Sequence, residues 1–311
     1  YKTSDINLFY SKTGKSYSVP VKNVLVNGYS GVCDAGDGSG TSTCDDGEQI
    51  LDIVNVIGMA PGLSQVLFYE GESATDILNR MATDNLAKTL SCSWYGNDFG
   101  SVDDPIYKEF QAQGQTFLNA SGDGGAFPSG WGFPSLDPYI TDVGGTDLTT
   151  NGAGGSWASE TSWSDSGGGY LSQAGYATPS YQLLTGVINT SNKGSTKYRN
   201  DPDIALEANY DNVTADNGDF SGGWGGTSFA APRLAGLIAL ANQQSVANGG
   251  GTVGFINPAL YAFGTGSSYH SLFHDVTTGN NGKFKAVANY DLVTGWGSPI
   301  GPAFISALIA Q

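Results

Sequence analysis

Gly225-Gly226-Thr227-Ser228-Phe229-Ala230-Ala231-Pro232 is a glycine turn that opens an apolar stretch. Over residues 229–241 Arg233 alone is charged, so a helix here is apolar on nearly every face and belongs at the centre of the molecule. Upstream, short β-rich runs alternate with helical patterns, the signature of βαβ units around a parallel sheet. The expected strands are residues 24–26, 65–69, 89–94, 115–120 and 139–143; the expected helices are 48–59, 74–85 and 104–113, each entered or left through Gly, Asp or Pro. Residues 121–217 are rich in Gly, Ser, Trp and Tyr with weak periodicity, as long loops that carry binding function are. No internal repeat is visible. The expected fold is α/β, with a central, mostly parallel sheet flanked by helices in three layers, and a second compact region after Ser228.

The chemistry starts from Ser228. A serine hydroxyl needs a base to remove its proton, and the usual base is an imidazole. The two histidines, His270 and His274, both lie downstream, near the C-terminus, and neither stands in a His-Gly-Thr context. A nucleophilic Ser228 therefore needs another base, and carboxylates are abundant. The 311 residues carry 29 Asp and Glu against 13 Lys and Arg, a formal charge of −16 that argues against nucleic acid and anionic membranes as partners. Only 14 % of residues are charged, so the surface relies little on ion pairs and loses little in acid; selection for solubility explains the composition equally well. The length suits one large α/β domain, 1–311, with no linker between halves. No apolar run approaches the roughly 20 residues that span a bilayer, and no signal segment opens the chain.

Of three cysteines, Cys33 and Cys44 bracket a polar loop with no core of its own, which a disulfide would staple. Cys92, in an expected strand, reads as a buried free thiol. Asn189-Thr190-Ser191 and Asn212-Val213-Thr214 match glycosylation acceptors, relevant if a eukaryote secretes the protein.

Glu48 and Asp52 are four residues apart on the first expected helix, so their side chains leave one face about a turn apart while Ile50, Leu51, Ile53, Val54 and Ile57 take the opposite face. Two acids this close share a proton and titrate as a pair. Alone, the pair also reads as an exposed acidic face favoured by the helix dipole. A third acid, Asp123, sits in Ser121-Gly122-Asp123-Gly124 directly after an expected strand, where parallel-sheet proteins bind ligands, although such an Asp is often a turn residue. The conjunction of acid pair, strand-end Asp and Gly-Gly-Thr-Ser favours a catalytic reading.

Gly47-Glu48-Gln49-Ile50-Leu51-Asp52, Ser121-Gly122-Asp123, Arg199 with Pro202-Asp203, Gly225-Gly226-Thr227-Ser228, His274-Asp275-Val276 and Tyr290-Asp291-Leu292-Val293-Thr294-Gly295-Trp296-Gly297 occur in the order found in the sedolisin family, the serine-carboxyl peptidases, which the chain resembles over most of its length. The resemblance implies a subtilisin-like fold and a secreted, monomeric protein that hydrolyses protein or peptide substrates in acidic surroundings, after removal of a propeptide. It implies Ser228 as nucleophile, Glu48 as general base and then acid, Asp52 orienting Glu48, and Asp123 as oxyanion donor beside the Ser228 N–H. It further implies one structural Ca²⁺, held by the carboxylates of Asp275 and Asp291 and the carbonyls of Val276, Val287 and Asn289. The last two are glycines in the family, and the loop before them is short. Relative to the family, Tyr1 falls inside the catalytic domain, so a leading segment with an early strand is expected to be missing, along with the propeptide. An endopeptidase is the leading reading. A tripeptidyl exopeptidase of the same family, or a catalytically silent calcium-stabilised binding protein, are the alternatives.

Overall fold

The apolar helix expected after Ser228 is the axis of the structure, a computed structural model that describes residues 1–31, 46–96, 99–128 and 134–311. Cys33 and Cys44 lie outside the described residues. The helices are α1 (Thr3–Lys12), α2 (Gly47–Met59), α3 (Ala74–Asp84), α4 (Asp104–Ala112), α5 (Thr227–Ala247), α6 (Asn257–Gly264), α7 (Tyr269–Leu272) and α8 (Gly301–Leu308). The strands are β1 (Val21–Leu25), β2 (Val66–Glu70), β3 (Thr89–Cys92), β4 (Thr116–Ala120), β5 (Thr141–Thr150), β6 (Trp157–Ser162), β7 (Ile204–Glu207), β8 (Asn212–Asp216), β9 (Asp219–Trp224), β10 (Phe273–His274) and β11 (Ser298–Pro299).

β3, β4, β5 and β7 lie side by side and parallel, and the far half of β5 carries β6 antiparallel. β1 and β2 form a separate parallel pair. Alternation along β4 explains the layers. Phe117 points into a cluster with Tyr107 and Phe110 of α4, while Leu118 points into the core around α5. Consequently α3 and α4 cover one face and α2 and α5 the other, with α8 behind α5. β4 and the first six residues of β5 are buried on both faces, as this layering demands.

Expected elements are found within a few residues of their expected ends, with two differences. β5 runs on through Gly144-Gly145 to Thr150 rather than stopping at residue 143. These glycines are close-approach sites, since a Cβ on Gly144 would lie 2.6 Å from Pro202 and one on Gly145 2.8 Å from Ala208. The 121–217 region also holds β6, β7 and β8 besides loops.

Arg199 is 1 % exposed and forks onto Asp203 at 2.9 and 2.7 Å, with Asp201 at 3.0 Å. Asp203 further accepts hydrogen bonds from the Asp142 N–H, Asn257 and Tyr261. Thus Arg199 and Asp203 knit β5, β7 and α6 together. One guanidinium cannot balance three buried acids, and burial pushes Asp142 and Asp201 well above the ordinary carboxylate range.

Of the two glycosylation matches, Asn212 is buried, its side chain engaged by Arg233 and by the Asn209 carbonyl, so the fold leaves no room for a glycan there. Asn189 Oδ1 caps its own turn by accepting the N–H groups of Ser191 and Asn192.

Candidate active site

The end of β4 and the starts of α2 and α5 carry the acids and the serine that the sequence singles out. Ser228 is the second residue of α5 and is 8 % exposed. The free N–H groups and the dipole of a helix N-terminus make this a favourable place for developing negative charge. Gly226 caps the helix at φ +155°, and a Cβ there would stand 3.0 Å from Asp123 Oδ2, so the turn needs glycine. Four residues after Ser228, Pro232 lacks the N–H that would bond the Ser228 carbonyl; α5 tolerates it near its start.

Asp123 follows β4 after two residues and is anchored to the same turn. Its Oδ1 accepts the Thr227 N–H at 2.7 Å and the Thr227 hydroxyl at 2.9 Å, and the Thr227 hydroxyl oxygen accepts the Gly122 N–H at 2.9 Å. Oδ1 is thereby committed, and Oδ2 lies over Gly226 beside the start of α5. The residue is open to solvent on one side, yet its crowded surroundings raise its pKa, opposed by the two Thr227 hydrogen bonds and reinforced by Asp165.

Glu48 lies in the first turn of α2, and Asp52 one turn on. Ile50, Leu51, Ile53, Val54 and Ile57 are buried as their spacing predicts. Asp52 Oδ1 accepts the Ser93 hydroxyl at 2.7 Å, directly after β3. Burial, and next the charge of Glu48, raise Asp52 well above the ordinary range, with Ser93 opposing. The two acids are thus coupled, as their spacing requires.

What brings α2 to α5 is a set of contacts in step along both helices. Gly236 approaches so closely that a Cβ on it would lie 2.5 Å from Met59. One turn back, Arg233 donates to Asn55 Oδ1 at 2.8 Å, and Pro232 shares a cavity wall with Asp52. Arg233, the one charge in the apolar run, also ties α5 to the Glu207 carbonyl and to Asn212. Glu48 stands one turn before Asp52 on α2, and Ser228 one turn before Pro232 on α5.

The histidines are engaged elsewhere. His274 stacks on Trp157 at 4.3 Å, and His270 packs on Tyr269. Cys92 is a free thiol, half-buried rather than fully buried, whose pKa burial pushes up to about 12; it is no nucleophile at acid or neutral pH. Ser93, Thr227 and Arg233 are positioning residues that the motif reading missed. Thr227 was the most legible, since it stands between the glycines and Ser228.

At the other end of the chain, Asp275 accepts the Asn289 N–H on both oxygens at 3.1 Å, and Asp291 Oδ2 accepts the Val287 N–H at 2.9 Å. Asp291 Oδ1 takes the N–H groups of Val293 and Thr294. The two carboxylates therefore converge on the 287–289 turn, with Asn289 at φ +66°. Two carboxylates are hard oxygen donors of the kind Ca²⁺ takes, and here they accept the N–H groups of that turn. Among the described residues no three His, Cys, Asp or Glu side chains group as a metal site, so backbone oxygens would have to complete the shell.

No family model matches the chain. It is 32 % identical over 335 residues to xanthomonalisin of Xanthomonas sp. (strain T-22), a match covering 84 % of this chain and 38 % of that protein. It is 31 % identical over 295 residues to kumamolisin of Bacillus sp. (strain MN-32), covering 85 % and 51 %. The solved structure of Pseudomonas sedolisin, a serine-carboxyl proteinase complexed with two molecules of pseudo-iodotyrostatin, superposes with a TM-score of 0.77 at 28 % identity, covering 99 % of this chain and 89 % of that one. Fold and relatives together define a subtilisin-like protein of the serine-peptidase class. The chain belongs to the sedolisin family, the serine-carboxyl peptidases. It spans about half or less of the length of the relatives it matches.

Proposed function

We propose that the chain is the catalytic part of an acid-acting endopeptidase in which Ser228 attacks the peptide carbonyl. Ser228 Oγ would form the new bond to carbon as its proton passes to Glu48, and Asp52 would orient Glu48 through their shared proton. The carbonyl oxygen would become an oxyanion between the Ser228 N–H and Asp123 Oδ2–H. Glu48 would then protonate the leaving amine, and a water activated by Glu48 would hydrolyse the acyl-enzyme. The observation that supports this reading is the run of contacts from Gly236 with Met59 back to Arg233 with Asn55, which carries α2 and α5 side by side toward the turns that hold Glu48 and Ser228.

Asp123 donates only when protonated, and its raised pKa favours that form in acid. Acid pH is therefore a requirement of the mechanism rather than a preference of the surface. A peptide aldehyde tests the nucleophile directly, because an active Ser228 adds to the aldehyde carbon to give a hemiacetal. A stoichiometric hemiacetal adduct, absent in Ser228→Ala, is expected; a parent protein that forms no adduct means the silent-fold reading is correct. Product analysis on a long peptide separates internal cleavage from release of successive N-terminal tripeptides.

Secretion into an acidic medium, a propeptide before maturation and a monomeric active form complete the reading. Among the described residues no helix is long and apolar enough to cross a membrane. Ca²⁺ would take the carboxylates of Asp275 and Asp291 and the carbonyls of Val276, Val287 and Asn289, neutralising two acids that now face one turn. Excess Ca²⁺ is expected to raise the unfolding temperature by about 5 °C over EDTA, the size of a few kcal/mol of linkage. Asp291→Asn should remove the difference; an equal shift in that variant places the ion elsewhere.

A further inference from the structure

Another carboxylate, Asp165, stands beside the turn that holds Asp123 and takes no part in the proposed reaction. It lies in Trp163-Ser164-Asp165-Ser166-Gly167, a segment laid against residues 121–125. The Gly125 N–H donates to the Asp165 carbonyl at 2.8 Å, and the Gly167 N–H to the Gly122 carbonyl at 2.7 Å, so the two bonds bracket Asp123. Gly167 permits the approach, since a Cβ on it would lie 2.1 Å from the Ser121 carbonyl oxygen. The flanks of Asp165 are fixed. Trp163 is buried, and the buried Ser166 hydroxyl donates to the Val293 carbonyl at 2.8 Å while accepting the Gly145 N–H at 2.9 Å.

Tyr210 holds the side chain of Asp165. Its hydroxyl donates to Asp165 Oδ2 at 2.9 Å, whereas Oδ1 has only a long contact of 3.4 Å from the Ser164 hydroxyl. Tyr210 is 57 % exposed, yet its ring is fixed from two sides. It stands edge-on to Trp163 at 5.6 Å, and a Cβ on Gly225 would lie 2.8 Å from it. The Gly226 N–H donates to the Ala208 carbonyl at 2.8 Å, which ties the loop carrying Tyr210 to the same turn. Tyr210 therefore lies over Gly225 and Asp123 Oδ2 over the next residue, Gly226.

We propose that Asp165, fixed by the Tyr210 hydroxyl, is a positioning residue for the oxyanion donor: its negative charge keeps the proton on Asp123 as pH rises and so extends catalysis toward neutral pH. The proposal rests on Asp123 acting as that donor. Asp123 Oδ1 is committed to Thr227, so the proton belongs on Oδ2. Crowding is the largest cause of the raised Asp123 pKa, the two Thr227 hydrogen bonds oppose it, and the charge of Asp165 adds to it. Tyr210 faces both acids: its own pKa is raised by the bond to Asp165, then by burial and by the charges of Asp165 and Asp123. A like charge disfavours ionisation, so without the charge of Asp165 the pKa of Asp123 falls, and the site loses its donor at lower pH.

Carbon-13 NMR of the aspartate carboxyls reads the proton on Asp123 without substrate, its signal being assigned by its absence in Asp123→Asn. Asp165→Asn keeps the shape of the residue and the carbonyl that accepts Gly125. In that variant the Asp123 titration midpoint is expected to move about half a pH unit or more toward acid. Tyr210→Phe, which frees the carboxylate to turn to water, should move it the same way by less. The fall of kcat/KM with rising pH is expected to move with the midpoint in both variants, and Asp165→Asn to move nothing in the Asp123→Asn background. An Asp123 midpoint unchanged in Asp165→Asn overturns the proposal alone, as does a shift of the activity profile that persists in the Asp123→Asn background. A midpoint that moves while the fall of kcat/KM stays in place overturns the role of Asp123 as donor, and the proposal with it.

Discussion

Replacement of Ser228 by Ala is expected to lower kcat/KM on a peptide substrate by about 10⁴-fold or more, and Glu48→Gln to do nearly the same. The two losses should not add, because nucleophile and base act as one unit; the double variant is expected to sit close to either single one. Neither change opens a large cavity: Ser228→Ala removes one oxygen at the mouth of the site, and Gln is isosteric with Glu. Their unfolding temperatures are therefore expected to stay near that of the parent. Activity within tenfold of the parent in either variant reassigns that role.

Asp123 is the second large effect, and it separates donation from anchoring. Asp123→Ala should cost about 10² to 10³ in kcat, the usual loss of one oxyanion donor, together with some stability, because the Thr227 N–H at the start of α5 loses its acceptor. Asp123→Asn keeps an oxygen for Thr227 and offers an amide N–H that needs no acid. Its loss is expected to be smaller, and it should remove the fall in activity that deprotonation of Asp123 causes as pH rises. A parent-like fall in Asp123→Asn would show that another group sets that limb of the profile.

Much of this geometry was legible in residue spacing. The apolar positions Ile50, Ile53, Val54 and Ile57 fix which face α2 buries and hence where Glu48 and Asp52 emerge. The partners were not legible, because Ser93, Thr227 and Arg233 act through contacts distant in sequence, such as Arg233 with Asn55. The β8 and β9 hairpin was missed although Asn217-Gly218, with φ of 51° and 80°, is the strongest short hairpin signal. Gly222 and Gly223 in β9 blurred the alternation that should have framed it. Gly144-Gly145 misled for the opposite reason, reading as a strand end where the backbone needs room for Pro202 and Ala208.

The central claim is that a carboxyl pair and a protonated Asp123 replace the imidazole that Ser228 lacks. A carboxyl base in place of an imidazole and an oxyanion donor that must hold its proton both place the working range in acid. The measurement is kcat/KM on one peptide substrate from pH 2 to pH 8. The account predicts a maximum below about pH 5 and a steep fall toward neutrality; a maximum at neutral or alkaline pH would contradict it.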